Sequence, residues 1–439
     1  MRVAMRLRGT ACTTVVVDGL RVACRARESS RASLRSSLDE ALERLRREFG
    51  PAGISDITVD VGQELAGAKR SSVLVVRISP RAPVDDSHVL RLPPAAAPSV
   101  TRIMYVAGGH DMRGRSLTSL ALESFREQLS TLPSEDVAGV AITSVGSLVS
   151  PEHEMRAADA VLSLHGDARV CVSSDFPSRA FRDRESNAIV NSSLMRHGET
   201  VAALLREVGA RHFPGIPLFF AKGDGGRESM ARLPMLPISG LAPEPAMHVV
   251  GGAALAGVSD GEVALCTDDG VRIGRVSGGI PVERSASRRI DHRGVSSDTT
   301  LLNPLSENHE LRATVPRVVV DLRSARSKTL PLNLVPTLTT DHDTALVGAA
   351  VAPMTAWIDR MVTVSGRADL ERAQRIAEDD AESAVVQLGA SPAQTRIVQS
   401  TAYAMPYGDS NIIRIRVQAA EKPSALDQPS SARNSNDDS

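Results

Sequence analysis

Between residues 116 and 221 the chain alternates helix-like and strand-like stretches, and that alternation constrains the fold more than any other feature. The spacing predicts a helix over 116–131, an apolar strand VAGVAITSV at 137–145, a helix opening at Ser150, a strand ARVCVSS at 168–174, a long helix near 183–207 and a strand IPLFFA at 216–221. Uniformly apolar strands separated by helices pair in parallel, with both faces of the sheet covered. In SPEHEMRAADAVLSL, Ser150 suits the N-cap and Pro151 the first helical position. Glu152 and Glu154 suit the positive end of the helix dipole, which explains both without a metal.

Ahead of this unit, VAMRLRGTACTTVVVDG (3–19) reads as a β-hairpin. Val3-Ala4-Met5 and Val15-Val16-Val17 flank the small-residue turn Gly9-Thr10-Ala11. Backbone N–H groups and hydroxyls in such a turn can hold phosphate. Holding Mg²⁺ there needs carboxylates, and the flanks carry Arg6 and Thr13. A helix follows, with Leu34, Leu38, Leu42 and Leu45 at helical spacing and a stop at Gly50, then strands at 57–61 and 72–78. The Pro/Ala-rich LRLPPAAAPS reads as a surface connector. From 246 the sequence predicts a small-residue helix and a hairpin turning at Asp268-Asp269-Gly270. A polar loop over 283–313, a strand at 317–322, helices at 343–362 and 367–389, and strands at 394–402 and 411–418 follow. These divide as 1–85, 86–245 and 246–420, with a tail from 421 whose composition is that of disorder.

A net charge of −1 provides no global field for nucleic acid or an anionic membrane, and 3% aromatics leaves little for base stacking. Only Lys69, Lys222, Lys328 and Lys422 are lysine, so the basic residues are almost all arginine, a compositional bias rather than a binding surface. Cys12, Cys24, Cys171 and Cys266 form no C-x-x-C pair, and no apolar run approaches a membrane span. The expectation is a reduced, cytoplasmic protein without a zinc knuckle. No metal site is expected. PEHE at 151–154 lacks H-E-x-x-H spacing, and in TTDHDT (Asp341, His342, Asp343) the last carboxylate stands where a helix N-cap belongs. No Walker A motif is present.

Several segments, in order along the chain, resemble the hydantoinase/oxoprolinase family, specifically its hydantoinase A-like subunit. AGGHDMRGRSLTSLAL is similar to the family's glycine-histidine segment, and VAITSVGSLVSPEHEMRAADAV to its A-I-x-x-V-F-S-x-V-N-P-x-H-E segment. RDRESNAIVNSSL is similar to E-R-E-N-A-x-I-x-N-A-A-L, matching Arg184, Glu185 and Asn191. PLFFAKGDGG is similar to P-L-Y-x-x-Q-N-D-G-T, matching Asp224 and Gly225. TALVGAAVAPMTAWIDRMV resembles the family's C-terminal small-residue segment. The resemblance implies an α/β, actin-like ATPase fold (the Hsp70/hexokinase/actin group), here truncated, with mixed sheets and helices on both faces. It also implies ATP-dependent hydrolysis of cyclic amides such as hydantoins or 5-oxoproline, with ATP and Mg²⁺ as cofactors.

Departures from the family pattern fall on the nucleotide motifs. The D-x-G-G-T-x-T-D of the first hairpin is here Arg6, Arg8, Gly9, Thr10 and Thr13, of which Gly9 and Thr10 remain as a remnant phosphate turn. The S-G-P segment reads Pro243-Glu244-Pro245. The second hairpin lacks Gly-Gly-Thr, and Asp321-Leu322-Arg323-Ser324 stands in place of G-G-G-S. The expectation is a degenerate nucleotide site in a binding or scaffold subunit, paired with a hydantoinase B-like chain or with itself, and with no nucleic-acid or membrane partner. The alternative is a nucleotide-independent hydrolase of a cyclic amide C–N bond using Asp224, Glu185 and His110, with Arg184, Asn191 and Gly225 on the substrate side. Each residue also has a plainer reading: Asp224 as an Asp-Gly turn, Glu185 as a helix-start carboxylate, His110 as a capped turn histidine.

Overall fold

The computed structural model describes residues 1–29, 33–81, 99–176, 178, 180–282, 300, 302–305, 315–323, 337–338, 342–404 and 411–422. Most of the proline-rich connector, most of the 283–313 loop, Ser324, Asp341 and the tail beyond Lys422 lie outside these residues. The chain begins with β1 (Arg2–Arg8), β2 (Ala11–Asp18), β3 (Arg21–Ser29), α1 (Leu34–Phe49), β4 (Asp56–Asp60), α2 (Gly62–Gly67), β5 (Val73–Ser79) and β6 (Val100–Ala107). It continues through α3 (Leu122–Ser130), β7 (Gly139–Ser144), α4 (Glu152–Leu164), β8 (Arg169–Val172), α5 (Phe181–His212), β9 (Leu218–Ala221), β10 (Arg227–Ser229) and α6 (Glu244–Leu255). The remainder is β11 (Gly261–Thr267), β12 (Gly270–Ser277), β13 (Ile280–Val282), β14 (Asn303–Pro304), β15 (Arg317–Asp321), α7 (Thr344–Val351), β16 (Thr355–Thr363), α8 (Arg367–Gln387), β17 (Thr395–Ala404) and β18 (Ile412–Glu421).

Four sheets organise these elements. The first runs β10-β9-β4-β1-β2-β3, and the second runs β6-β5-β7-β8 with every pair parallel, as the apolar runs of its strands require. In β5, Val73 and Val75 pack toward α5, while Leu74, Val76 and Ile78 pack toward Phe125 and Leu129 of α3 and Val161 of α4. The 32-residue α5, about 48 Å long at 1.5 Å per residue, shares one core with the first sheet, the second sheet and α1. On the other face of the first sheet, Ala4, Val15 and Val17 meet the small residues of α7. β5, within the section 1–85, belongs to the second sheet, whereas β9 and β10, within 86–245, complete the first.

The third sheet is β13-β12-β11-β15 with β14 on β12, and the fourth is the antiparallel β16-β18-β17, backed by α8. Helices α6 and α7 cross where glycine is required. A Cβ on Gly251 would lie 1.8 Å from the Thr344 carbonyl oxygen, and one on Gly348 would lie 2.0 Å from that of Met247. This contact positions the starts of both helices beside β1.

Two expectations are corrected. The helix at 343–362 ends at Val351: Pro353 cannot continue it, Ala352 is extended, and Thr355–Thr363 forms β16. Ser150 does not cap α4, since the residue before Glu152 is Pro151 and no side chain caps the helix. Glu154 stands in the first turn of α4, as expected. It is fully buried and accepts hydrogen bonds from the Ser144 and Ser174 amides and the Ser173 hydroxyl.

Candidate functional site

Asp224 lies at the hub of a buried polar network between the first and fourth sheets. The turn after β9 brings Gly225 to a φ of 89°, and Asp224 Oδ1 accepts the Gly226 N–H at 2.9 Å, which is the Asp-Gly turn read from sequence. Its other oxygen reaches into the fourth sheet, accepting from the Thr355 hydroxyl at 2.8 Å and Trp357 Nε1 at 3.2 Å. Lys222 Nζ stands 3.4 Å from the same oxygen and donates to the Thr355 carbonyl at 2.9 Å. A Cβ on Gly226 would fall 1.9 Å from Thr355 Oγ1, so glycine alone permits this approach.

Across the fourth sheet, ladder pairing sets Trp357 opposite Gln418 and Asp359 opposite Arg416, on the face turned away from α8. The Arg416 guanidinium lies over the Trp357 ring, 4.2 Å from its centroid, a contact worth about 0.5–2 kcal/mol. Arg414 grips Asp359 with two hydrogen bonds. Gln418 is completely buried, and neither its amide oxygen nor its amide nitrogen has a hydrogen-bond partner among the described residues. Trp357 and Asp359 were not anticipated, because 343–362 reads as a helix, and Arg416 and Gln418, on the expected strand 411–418, were not read as site residues. The available signal was the polar residue at every second position of IIRIRVQAA.

A second centre surrounds Arg6, which lies on β1 with its side chain 13% exposed. It donates to Asp60 Oδ2 at 2.9 Å and Asp343 Oδ2 at 2.6 Å, with Glu244 at 3.9 Å. Burial alone would lower the guanidinium's pKa, but the charges of Asp343 and Asp60 outweigh it and hold it above its ordinary value. Glu244 is held below the usual carboxylate range by His248, with Arg6 and Arg8 adding to the effect. Asp343 also caps α7, accepting the Leu346 N–H at 3.1 Å, as the sequence suggested. At the adjoining turn, Gly9 adopts a φ of 59° and its N–H donates to the Glu64 carboxylate at 3.0 Å. Thr10 is exposed, and its carbonyl accepts from the Ser37 hydroxyl.

The remaining candidates stand in networks of their own. Glu185 is buried and paired through both oxygens with Arg77 at 2.5 and 3.0 Å, joining α5 to β5. Arg184, also buried, donates to the Ser178 carbonyl at 2.9 Å, and desolvation lowers its pKa. Asn191 ties α5 to the 235–238 segment, donating to the Met235 carbonyl and accepting from the Ile238 N–H. His110 is buried, with its ring 4.2 Å from that of His153 and its Nε2 3.9 Å from Glu152. His153 Nδ1 accepts the Gly109 N–H at 2.8 Å. Among the described residues no hydrogen bond or ion pair links Asp224, Glu185 and His110, and no group of three His, Cys, Asp or Glu is arranged to hold a metal. The four cysteines are free, and no helix of the described residues is long and apolar enough to cross a membrane.

The model of the hydantoinase/oxoprolinase N-terminal region matches residues 87–164. No curated protein matches the sequence. Among solved structures, the chain is similar to acetone carboxylase, solved nucleotide-free in work on ATP-dependent acetone carboxylation. The TM-score is 0.62 at 11% identity, covering 97% of this chain and 88% of that one. It is also similar to the ATP-dependent caprolactamase of Pseudomonas jessenii, with a TM-score of 0.65 at 11% identity, covering 98% and 89%. At such identities the likeness is one of fold, and it agrees with the mixed α/β, actin-like ATPase type expected from sequence. Residues 87–164 thus match the hydantoinase/oxoprolinase N-terminal region, in a chain whose fold is similar to those of two ATP-dependent enzymes along nearly its whole length.

Proposed function

We propose that this protein is a hydantoinase/oxoprolinase-like subunit whose nucleotide site is filled by its own side chains, and that it serves as a binding or scaffold component rather than an ATPase. The observation that carries this reading is Arg6, whose guanidinium occupies the space between Asp60, Asp343 and Glu244. The residues present do not fit a magnesium-bound nucleotide. A metal approaching these carboxylates meets a fixed positive charge. At ~4 Å and an effective dielectric near 20, like unit charges repel by about 4 kcal/mol, and Mg²⁺ carries two. It would also have to displace two charge-assisted hydrogen bonds worth roughly 1.5–3 kcal/mol each. The Gly9 N–H, a natural phosphate donor, is already given to Glu64.

Exposed apolar side chains support the scaffold role. Of the large apolar side chains exposed among the described residues, Met112, Leu117, Met155, Leu162 and Leu164 all fall inside the family-matched region, three of them on α4. The partner we propose is a hydantoinase B-like chain or a second copy. The test is turnover of hydantoin and 5-oxoproline by the purified chain, with and without ATP and Mg²⁺. No ATP-dependent turnover is expected, and turnover that requires ATP would overturn the reading.

A further inference from the structure

The hairpin at 110–116 stands at the carboxyl end of the second sheet as a self-bonded unit. His110 bridges to Ser116, and the Asp111 N–H donates to the Arg115 carbonyl at 2.8 Å. Asp111 Oδ1 accepts the Arg113 and Arg115 N–H groups at 2.8 and 2.9 Å. Its attachment to the rest of the chain is narrower. The Gly109 N–H donates to His153 Nδ1 of α4 at 2.8 Å, the His110 N–H donates to the Val145 carbonyl at 2.9 Å, and the two imidazoles lie 4.2 Å apart. Gly109 has a φ of 98°, and a Cβ on Gly108 would fall 2.6 Å from Ile78 Cγ2, so the joint behind the hairpin requires two glycines. Beside that joint ends β5, with β6 on one side and β7 on the other. Such a reversal of strand order is where parallel sheets admit ligands.

We propose that this hairpin is an acid-released lid, hinged at Gly108-Gly109 and latched by the unprotonated ring of His153. Nδ1 accepts the Gly109 N–H through its lone pair, and a proton there turns the acceptor into a second donor facing the first. The charged and titratable groups acting on the ring are His110 of the hairpin and Glu152 and Arg156 of its own helix. The Asp111–Arg115 pair of the hairpin compensates itself, and Ile78 of β5, Val145 after β7 and Leu120 ahead of α3 line the joint as apolar groups. Burial, His110 and Arg156 hold the proton off, while Glu152 opposes them. Opening returns the imidazole to water and to its ordinary value near 6.5, so the open form takes up protons first as pH falls. The hairpin keeps its own bonds and moves as a unit, carrying the exposed Met112 with it. The lid stands on this geometry, whereas its control of partner docking rests on the subunit reading.

The test is residue-resolved hydrogen exchange of the full chain at pH 7.5 and 5.5, scaled to unfolded-chain rates. Between those values the protection of the Gly109 and His110 amides should fall about tenfold, because the open form titrates near 6.5 and the closed form lower. At both pH values it should stay below that of the β5 and β7 amides and respond little to dilute urea, the marks of a local opening that exposes little surface. His153→Gln keeps an acceptor for the Gly109 N–H, cannot be protonated, and should make the latch protection independent of pH. Latch protection that is unchanged between pH 7.5 and 5.5 would overturn the lid, as would a tenfold fall that persists in His153→Gln. Latch amides that match those of β5 and β7 in protection and urea response would also overturn it, since only global unfolding would then expose them. Should His153→Gln not fold, the wild-type pH and urea series decides by itself. None of these readouts involves ATP or turnover, so the lid and the subunit reading fail separately.

Discussion

Replacing Arg6 with methionine removes the guanidinium from between Asp60 and Asp343 while keeping much of the side-chain volume. The Arg6 side chain is 13% exposed, that of Asp60 5% and that of Asp343 18%. Truncating one member of a buried ion pair costs about 3–5 kcal/mol, because the partner's charge is stranded. Here two carboxylates are stranded, but each keeps a backbone donor: Gly62 N–H on Asp60 at 3.0 Å and Leu346 N–H on Asp343 at 3.1 Å. Asp343 is also open enough to regain some solvation. The expected loss therefore sits near the lower end of that range, about 3 kcal/mol. Equilibrium urea unfolding followed by circular dichroism measures it. Adding Asp60→Asn and Asp343→Asn to Arg6→Met removes the stranded charges and should recover most of the loss. A single-variant cost below about 1 kcal/mol, typical of a surface pair, would refute the buried-nest account, as would a triple variant no more stable than the single one.

Three further outcomes are expected. Burial, with His110 adding to it, lowers the pKa of His153 below its ordinary 6.5, and its Nδ1 can accept the Gly109 N–H only while that nitrogen is unprotonated. The unfolded chain then binds the proton more readily, so stability is complete above pH 6.5. It falls as pH drops below that value, by up to about 1.4 kcal/mol per pH unit, until the folded imidazole protonates as well; His153→Gln should flatten the slope in urea midpoints measured from pH 7.5 to 5.5. Gly226→Ala drives a Cβ into Thr355 and should cost more than about 2 kcal/mol, with a shift in Trp357 emission; an unchanged spectrum would contradict the packing described. Arg77→Met strands Glu185 in the interior and should cost about 3–5 kcal/mol, whereas Arg77→Met combined with Glu185→Gln should be milder, a difference that a double-mutant cycle reads directly.

Strands β5, β7 and β8 of the parallel second sheet were legible from their apolar runs, whereas β6, with Thr101 and Arg102 exposed, was not read, and the apolar β9 pairs in the first sheet instead. The hairpin of β1 and β2 was legible from its glycine turn. By contrast, β3 hides in RVACRARES, where Arg21, Ala23, Arg25, Arg27 and Ser29 alternate toward solvent and no apolar run marks it. The stretch after Asp343 supplies apolar residues that suit helix and strand alike, and Pro353 decides between them. Asp224 was visible from its turn, but Thr355 and Trp357 lie 131 and 133 residues away, a distance that no local pattern encodes. Arg6 stood out as a departure from the family motif, yet its partners come from α6, α7 and the end of β4. Glu185 showed its helix-start position and not its ion pair, because Arg77 looks like one of many arginines until the fold sets it opposite.

The central claim is that internal charges have taken the place of a metal-bound nucleotide at β1. Calorimetric titration of the purified chain with ATP, with and without Mg²⁺, tests it most directly. The account predicts no saturable Mg²⁺-dependent heat at ATP concentrations up to about 1 mM, corresponding to a binding free energy weaker than about −4 kcal/mol. Saturable binding in the micromolar range that requires Mg²⁺ would contradict it.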